Sequence, residues 1–155
     1  MTLTLADQKV FTPRSPDALI KTSLERMDNL LVTLSVPMYA GGCRRLGEEM
    51  RQLHARFRAH DVACQLGPDA GSVAVEVRPE LASELRRIRS EHPHMMGLLD
   101  WLIRYVDSIP DQSEEDQEVF LLRVREVIAV FRRHEAEEDR VFYRSTWEET
   151  GGEGG

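Results

Sequence analysis

The chain has 155 residues, of which 27 are acidic and 20 are lysine or arginine, so its formal net charge at pH 7 is −7. This is the length of one ordinary domain, and a net acidic domain is a poor candidate for binding the phosphate backbone of a nucleic acid. Two cysteines, Cys43 and Cys64, are too few for a disulfide framework. Because the sequence also shows no secretory signal and no apolar stretch of the roughly 20 residues that span a bilayer, we expect a cytoplasmic protein without membrane contact.

The first half of the chain carries two apolar stripes at helical spacing, after residues 1–14, which are predicted to form an extended arm. Residues 15–17 supply the cap, the proline and the acid that begin a helix, and Pro37 ends it. Its stripe consists of Ile20, Leu24, Met27, Leu31 and Leu34. A second helix is predicted from about Cys43 to Gly67. Its stripe consists of Leu46, Met50, Leu53, Phe57, His60 and Cys64.

The second half of the chain begins with alternating valines at 71–80, which predict a short extended connector. Pro79 opens a third helix, Pro93 should kink it by removing one backbone hydrogen bond, and Pro110 ends it. Its stripe consists of Leu81, Leu85, Ile88, His92, Met95, Met96, Leu99, Leu102, Ile103 and Val106. Ser113 is the predicted cap of a fourth helix. That stripe consists of Phe120, Val124, Val127, Phe131, His134, Glu138 and Val141.

Four helices with one apolar stripe each predict an all-α fold, an antiparallel up-and-down four-helix bundle at 15–147, followed by a disordered tail at 148–155. The short links after the first and third helices favour antiparallel hairpins. The chain also contains a weak internal repeat, since FRAHDVACQL at 57–66 aligns with FRRHEAEEDR at 131–140. The first two helices therefore correspond to the last two.

Four polar side chains stand on these apolar stripes. His60, His92 and His134 come from helices two, three and four, and Glu138 follows His134 by one turn on the same face. A buried carboxylate is costly unless it is paired or bound to a metal, and imidazole together with carboxylate suits iron, manganese and zinc. The pattern indicates a metal site in the bundle core, and a buried hydrogen-bond network of histidine and glutamate is the alternative.

Two segments, HEAEEDRVFY at 134–143 and LRRIRSEHPHMMGLLDWL at 85–102, resemble signatures of the hemerythrin-like, or HHE cation-binding, family. The resemblance implies a four-helix bundle around a metal centre, usually of two irons. Each half of such a bundle supplies a histidine from its first helix and a His-x-x-x-Glu pair from its second. For the second half of this chain, the resemblance implies the ligands His92, His134 and Glu138, with Asp139 as an alternative acid.

The first half departs from the family pattern. His60 matches, but Leu24 and Cys64 stand where a histidine and an acid are expected. One iron ion is therefore expected, held by His60, His92, His134 and Glu138. Two ions would require a further ligand from among Asp61, Glu91, Glu137 and Cys64. A vestigial site without metal is the third alternative.

The resemblance implies a non-haem metal-binding domain that acts in oxygen or redox sensing or in metal handling, with a metal ion and dioxygen as its partners. The alternative is a metal-free four-helix module for protein interaction or regulation. The sequence contains neither a glycine-rich phosphate loop nor a nucleophile elbow. We therefore expect no enzyme and assign no catalytic residue. The alternative is a mononuclear site with an open coordination position that activates dioxygen or peroxide.

Overall fold

The computed structural model describes residues 16–66 and 79–150, and every regular element within these ranges is helical. The α-helices are α1 (Pro16–Thr33), α2 (Ala40–Leu66), α3 (Pro79–Arg89), α4 (His92–Val106) and α5 (Glu114–Thr150). A short 3-10 helix at Ile109–Asp111 connects α4 to α5. The predicted all-α four-helix bundle is confirmed, with α3 and α4 as two segments of its third helix.

The bundle helices pack in a ring, because α1 and α4 each contact both α2 and α5. Most residues of the predicted apolar stripes face inward and form one core, which we call the main core. Its fully buried members include Ile20, Met27, Leu46, Met50, Leu53, Phe57, Met95, Leu99, Leu102, Val106, Val124 and Phe131. The periodic spacing of apolar residues along each helix is therefore sufficient to explain the bundle.

A second, smaller apolar cluster lies between α3 and the last third of α5. This small core consists of Leu81, Ile88 and Val141, with the half-buried Leu85 packed against it. At its edge, Glu84 accepts hydrogen bonds from Arg140 at 2.8 Å and from Arg144 at 3.2 Å. These contacts attach α3 to α5 beyond the end of the main core.

The third bundle helix is broken rather than kinked. The predicted continuous helix stops at Arg89 and restarts at His92, with Ser90 and Glu91 in a turn between the two segments. Pro93 explains the position of the break, because a proline ring clashes with the carbonyl four residues earlier, here that of Arg89. The break places Glu91 and His92 at the start of α4, where both side chains face the neighbouring helices.

The opposite end of the bundle is fastened by Gln117 in the first turn of α5. Its Oε1 accepts a hydrogen bond from the Met38 backbone at 2.7 Å, and its Nε2 donates to the carbonyls of Ile109 at 3.1 Å and Gln112 at 3.2 Å. The predicted cap is also present, since Asp116 N–H donates to Ser113 Oγ at 3.1 Å. One buried amide thus connects both interhelical links.

The predicted arm at 1–14 and the valine-rich part of the predicted connector, 71–78, lie outside the described residues. The start of α3 at Pro79 agrees with its predicted opening. The long final helix continues to Thr150, and the domain limits at 15 and 147 stay predictions. Among the described helices, none combines the length and the apolar character that crossing a membrane requires.

Candidate metal centre

His134 and Glu138 enter the bundle interior from α5, between the main core and the small core. They are four residues apart, so they project from the same face on consecutive turns of the helix. Phe131 and Val141, which flank the pair along the stripe, are buried, and His134 itself is fully buried. The apolar neighbours in the sequence therefore fix the inward direction of both polar side chains.

His60 and His92 approach the same point from α2 and α4. His60 stands one turn after the buried Phe57 on the stripe of α2, and His92 is the first residue of α4. Both histidines are buried. The three histidines predicted to face inward do so, and they come from three different helices.

The four side chains converge through one nitrogen of each ring. The Nε2 atoms of His134, His60 and His92 lie 3.0, 3.2 and 3.4 Å from Glu138 Oε1. The Nε2 atoms of His92 and His134 are 2.9 Å apart. All four potential ligand atoms lie within 4.8 Å of one another. We call these four residues the His3Glu cluster.

The other ring nitrogen of two of these histidines faces a carboxylate. Nδ1 of His92 is 2.7 Å from Asp61 Oδ1, and Nδ1 of His134 is 3.3 Å from Glu91 Oε2. The Nε2 atoms therefore turn toward the centre of the cluster, while the Nδ1 atoms bind groups at its periphery. The sequence suggested Asp61 and Glu91 as possible ligands of a second ion, but it does not say which ring nitrogen each carboxylate meets.

Proximity to the imidazoles shifts the acid–base properties of the cluster. Burial raises the pKa of the Glu138 carboxyl, but the contacts of this carboxyl with the imidazoles of His134, His60 and His92 outweigh burial and move its pKa far below its usual range. Burial lowers the pKa of His134, but its hydrogen bond to Glu138, the charge of Glu138 and the hydrogen bond to Glu91 together raise it above its ordinary value. In the metal-free protein, these shifts extend the pH range over which Glu138 is ionised and the pH range over which His134 is protonated.

The apolar ring of Phe57 packs against the histidine rings of the cluster. Its ring centroid lies 4.9 Å from that of His92, 5.9 Å from that of His60 and 6.1 Å from that of His134. It also packs edge-on against Phe131 at 4.9 Å. A single aromatic side chain from the main core thus supports all three imidazole rings.

Other polar residues considered from the sequence lie at the edge of the cluster or outside it. Asp139 pairs with Lys21 at 2.7 Å on the surface, and Glu137 lies 3.5 Å from Arg87. Cys64 is half-buried, and its Sγ lies 3.6 Å from Nε2 of His60. The expected alternative acid, Asp139, is therefore directed away from the histidines.

The two remaining histidines do not join the cluster. His54 binds Asp100 through its Nε2 at 2.8 Å, and His94 is exposed, as its position about 200° around the helix from His92 predicts. Leu24, which occupies the position where the family resemblance implies a histidine, is buried in the main core.

The donor atoms of the His3Glu cluster are spaced like the ligands of a single metal ion. Ligands bound to one ion at about 2.0–2.1 Å lie about 3.0 Å apart at octahedral angles and about 3.4 Å apart at tetrahedral angles. The separations of 2.9, 3.0, 3.2 and 3.4 Å within the His3Glu cluster agree with these values. The cluster could therefore hold one metal ion.

The chain matches no protein-family model, no curated protein and no solved structure. The basis for a function is therefore the geometry of the cluster itself.

Proposed function

We propose that this chain is a hemerythrin-like domain that binds one transition-metal ion, with iron as the expected metal. The ligands are Nε2 of His60, His92 and His134 and the carboxylate of Glu138. The observation that carries the proposal is the convergence of these four atoms, at separations of 2.9 to 3.4 Å wherever a contact joins two of them. Three imidazoles and one carboxylate form a donor set that suits iron, and also manganese and zinc.

A single ion is favoured over two because the other acids that the sequence suggested as ligands are engaged elsewhere. Asp61 and Glu91 face the Nδ1 atoms of His92 and His134, and Glu137 faces Arg87. Cys64 stands where the internal repeat would place a counterpart of Glu138, and a thiol replaces the second carboxylate there. The donor atoms that remain are enough for one ion.

The proposed role is oxygen or redox sensing, or metal handling. An iron ion with four protein ligands keeps coordination positions for a small molecule and can exchange an electron. The protein's own residues would bind the ion, hold it away from bulk water and place Phe57 as an apolar wall beside three of its ligands. Support for the family comes from the bundle and from the segments around His92 and His134.

Elemental analysis tests the metal-binding proposal. Protein purified without chelator should contain one equivalent of iron, manganese or zinc, and the His92→Ala/His134→Ala variant should contain almost none. The matched control is His54→Ala/His94→Ala, which removes two histidines outside the cluster and should keep the metal. Equal, negligible metal in the wild type and in both variants, with all three proteins folded by circular dichroism, would contradict the proposal.

A metal-free interaction or regulatory module is the second candidate. The observation that favours it is that ionised Glu138 and protonated His134 can satisfy each other without an ion, as in a buried hydrogen-bond network. Under this alternative, a strong chelator would leave the thermal stability of the purified protein unchanged. Loss of a stoichiometric metal together with a drop in melting temperature on chelation would exclude it.

A further inference from the structure

We propose that Asp61 and Glu91 are positioning residues of the metal centre, which keep the proton of a neighbouring histidine on Nδ1 so that its Nε2 lone pair points at the ion. This inference rests on the proposed metal-binding function. It assigns to two carboxylates a role that is distinct from direct ligation, through the contacts that each makes with a histidine of another helix.

The stronger contact is that of Asp61 with His92. Asp61 Oδ1 lies 2.7 Å from Nδ1 of His92, whose side chain is 2% exposed, so the contact is short and shielded. An ionised carboxylate only accepts hydrogen bonds, so Nδ1 must donate its proton to it. In a neutral imidazole, a proton on Nδ1 leaves Nε2 free, and Nε2 is the atom that faces His134 and Glu138.

Glu91 makes the corresponding contact with His134. Its Oε2 lies 3.3 Å from Nδ1 of His134, while its Oε1 lies 3.8 Å from Arg87. Asp61 is held in a similar way, because Gln65 Nε2 donates to its Oδ2 at 3.2 Å and leaves Oδ1 for His92. Each carboxylate thus uses one oxygen for a histidine, and a second residue holds the other oxygen.

The positions of Asp61 and Glu91 in the chain connect the orientation of a histidine on one helix to the position of a neighbouring helix. Asp61 directly follows the ligand His60 on α2 but orients His92 on α4. Glu91 directly precedes His92 but orients His134 on α5. A rotation of α2 or α4 would therefore displace one ligand and, at the same time, the carboxylate that orients a ligand on the next helix.

Such partners change metal affinity because they fix the ring orientation and increase the basicity of the coordinating nitrogen. Loss of a partner of this kind typically lowers metal affinity or activity by about 10- to 100-fold. The charged side chains near the site include Glu138 within it and Arg87, Glu91, Asp61, Glu137 and the buried Glu135 around it. The carboxylates behind the His92 and His134 rings also offset the charge of a bound cation.

Zinc binding by competition with a chromophoric chelator tests the proposal, because zinc has no redox chemistry that could confuse the measurement. Asp61→Ala and Glu91→Ala should each raise the zinc Kd by about 10- to 100-fold. Asp61→Asn should have a smaller effect, since the amide oxygen can still accept the Nδ1 proton. The matched control is Asp100→Ala, which removes a carboxylate from His54 outside the cluster and should leave Kd unchanged.

Long-range proton–nitrogen correlation spectra of the zinc-loaded protein give a second readout. His92 should show a slowly exchanging Nδ1 proton in the wild type, in Asp61→Asn and in Asp100→Ala, and lose it in Asp61→Ala. A merely structural Asp61 would change the unfolding free energy and leave both the Nδ1 proton and the zinc Kd as they are.

The outcomes separate the two proposals. Normal zinc binding by the wild type, with an unchanged Kd in Asp61→Ala and Glu91→Ala, overturns the positioning role alone. Zinc bound to Nδ1 of His92 overturns it as well. Absence of zinc binding in the folded wild-type protein removes the metal-binding function and this role with it.

Discussion

The Nε2 atoms of His92 and His134 lie 2.9 Å apart, while Nδ1 of each ring faces a carboxylate. Because a carboxylate accepts the Nδ1 proton, two neutral rings in this arrangement would direct their lone pairs at each other. A proton or a metal cation between them removes that repulsion. This pair of nitrogens makes the His3Glu cluster sensitive both to pH and to metal ions.

Metal should stabilise the folded protein. Zinc added to metal-free protein at 100 times its Kd should raise the unfolding free energy by about 2.7 kcal/mol, since the ion binds the native state in preference to the unfolded chain. Chemical denaturation with and without zinc measures the increase. His134→Ala should show none of it, whereas His94→Ala, altered at an exposed position, should keep it. An equal increase in His134→Ala would locate the bound zinc elsewhere.

Metal affinity should fall with decreasing pH. A proton on His134 competes with the ion, and the neighbouring carboxylates raise the pKa of His134, so the loss of affinity should begin above the ordinary value of 6.5 for this group. Ionised Glu138 gives no such competition in this range, because its pKa is lowered. Zinc titrations between pH 6 and pH 8 measure the slope. A Kd that does not change with pH over that range would contradict this prediction.

The stability of the metal-free protein should have the opposite dependence on pH and decrease between pH 5.5 and pH 8. The raised pKa of His134 adds stability that is complete below its unfolded pKa and is lost as the pH rises through the folded value. The lowered pKa of Glu138 adds stability that is present above its unfolded pKa and is lost as the pH falls. Urea denaturation should therefore give higher stability near pH 5.5 than near pH 8. Glu138→Gln should reduce this difference, and an unchanged difference would show that other groups cause it.

Phe57 should matter for both the fold and the site. Phe57→Ala should cost about 3–5 kcal/mol of stability, as expected for removing a buried aromatic ring, and should also weaken zinc binding because three imidazoles rest on this ring. Leu53→Ala, one turn earlier on the same stripe and equally buried, should cost about 2–5 kcal/mol with zinc binding retained. Equal losses of zinc affinity in both variants would assign the effect to general destabilisation.

The two cysteines should differ in reactivity. Burial, together with the charge of Asp107, raises the pKa of the Cys43 thiol, which is 1% exposed, whereas Cys64 is half-buried at the edge of the site. Since the thiolate is the reactive form, a disulfide reagent such as Ellman's should modify Cys64 quickly and Cys43 only on unfolding. The fast phase should disappear in Cys64→Ser and persist in Cys43→Ser. A fast phase that survives in Cys64→Ser would contradict this assignment.

Helical periodicity accounts for much of the fold and for the gathering of the cluster. It requires only the identities of His60, His92, His134 and Glu138 and a rotation of about 100° per residue to direct all four side chains to the interior. The same rule correctly sends His94 outward. Since the short link after the third helix makes the helices of His92 and His134 adjacent, and the internal repeat aligns His60 with His134, their convergence could be predicted from the sequence.

The orientation of the rings could not be predicted in this way. Which nitrogen of His92 faces inward depends on its side-chain torsions and on the position of Asp61, a residue on another helix. The sequence suggested Asp61 and Glu91 as ligands of a second ion, whereas the structure places them against Nδ1 atoms. At residues 90–91 the structure has a break where a kink at Pro93 was predicted. The sequence locates the lost backbone hydrogen bond, but it does not determine whether the helix bends or is interrupted there.

The division of the apolar interior into a main core and a small core has a consequence for exchange with solvent. The cluster lies between the two, and α3 is attached to α5 by Leu81, Ile88 and Val141 with a few ion pairs. Local openings with few buried contacts require less free energy than global unfolding. A local opening of α3, with α1, α2 and α4 still folded, would give an ion a route in or out. The lifetime of the bound ion would then depend on the small core and not on the stability of the whole protein.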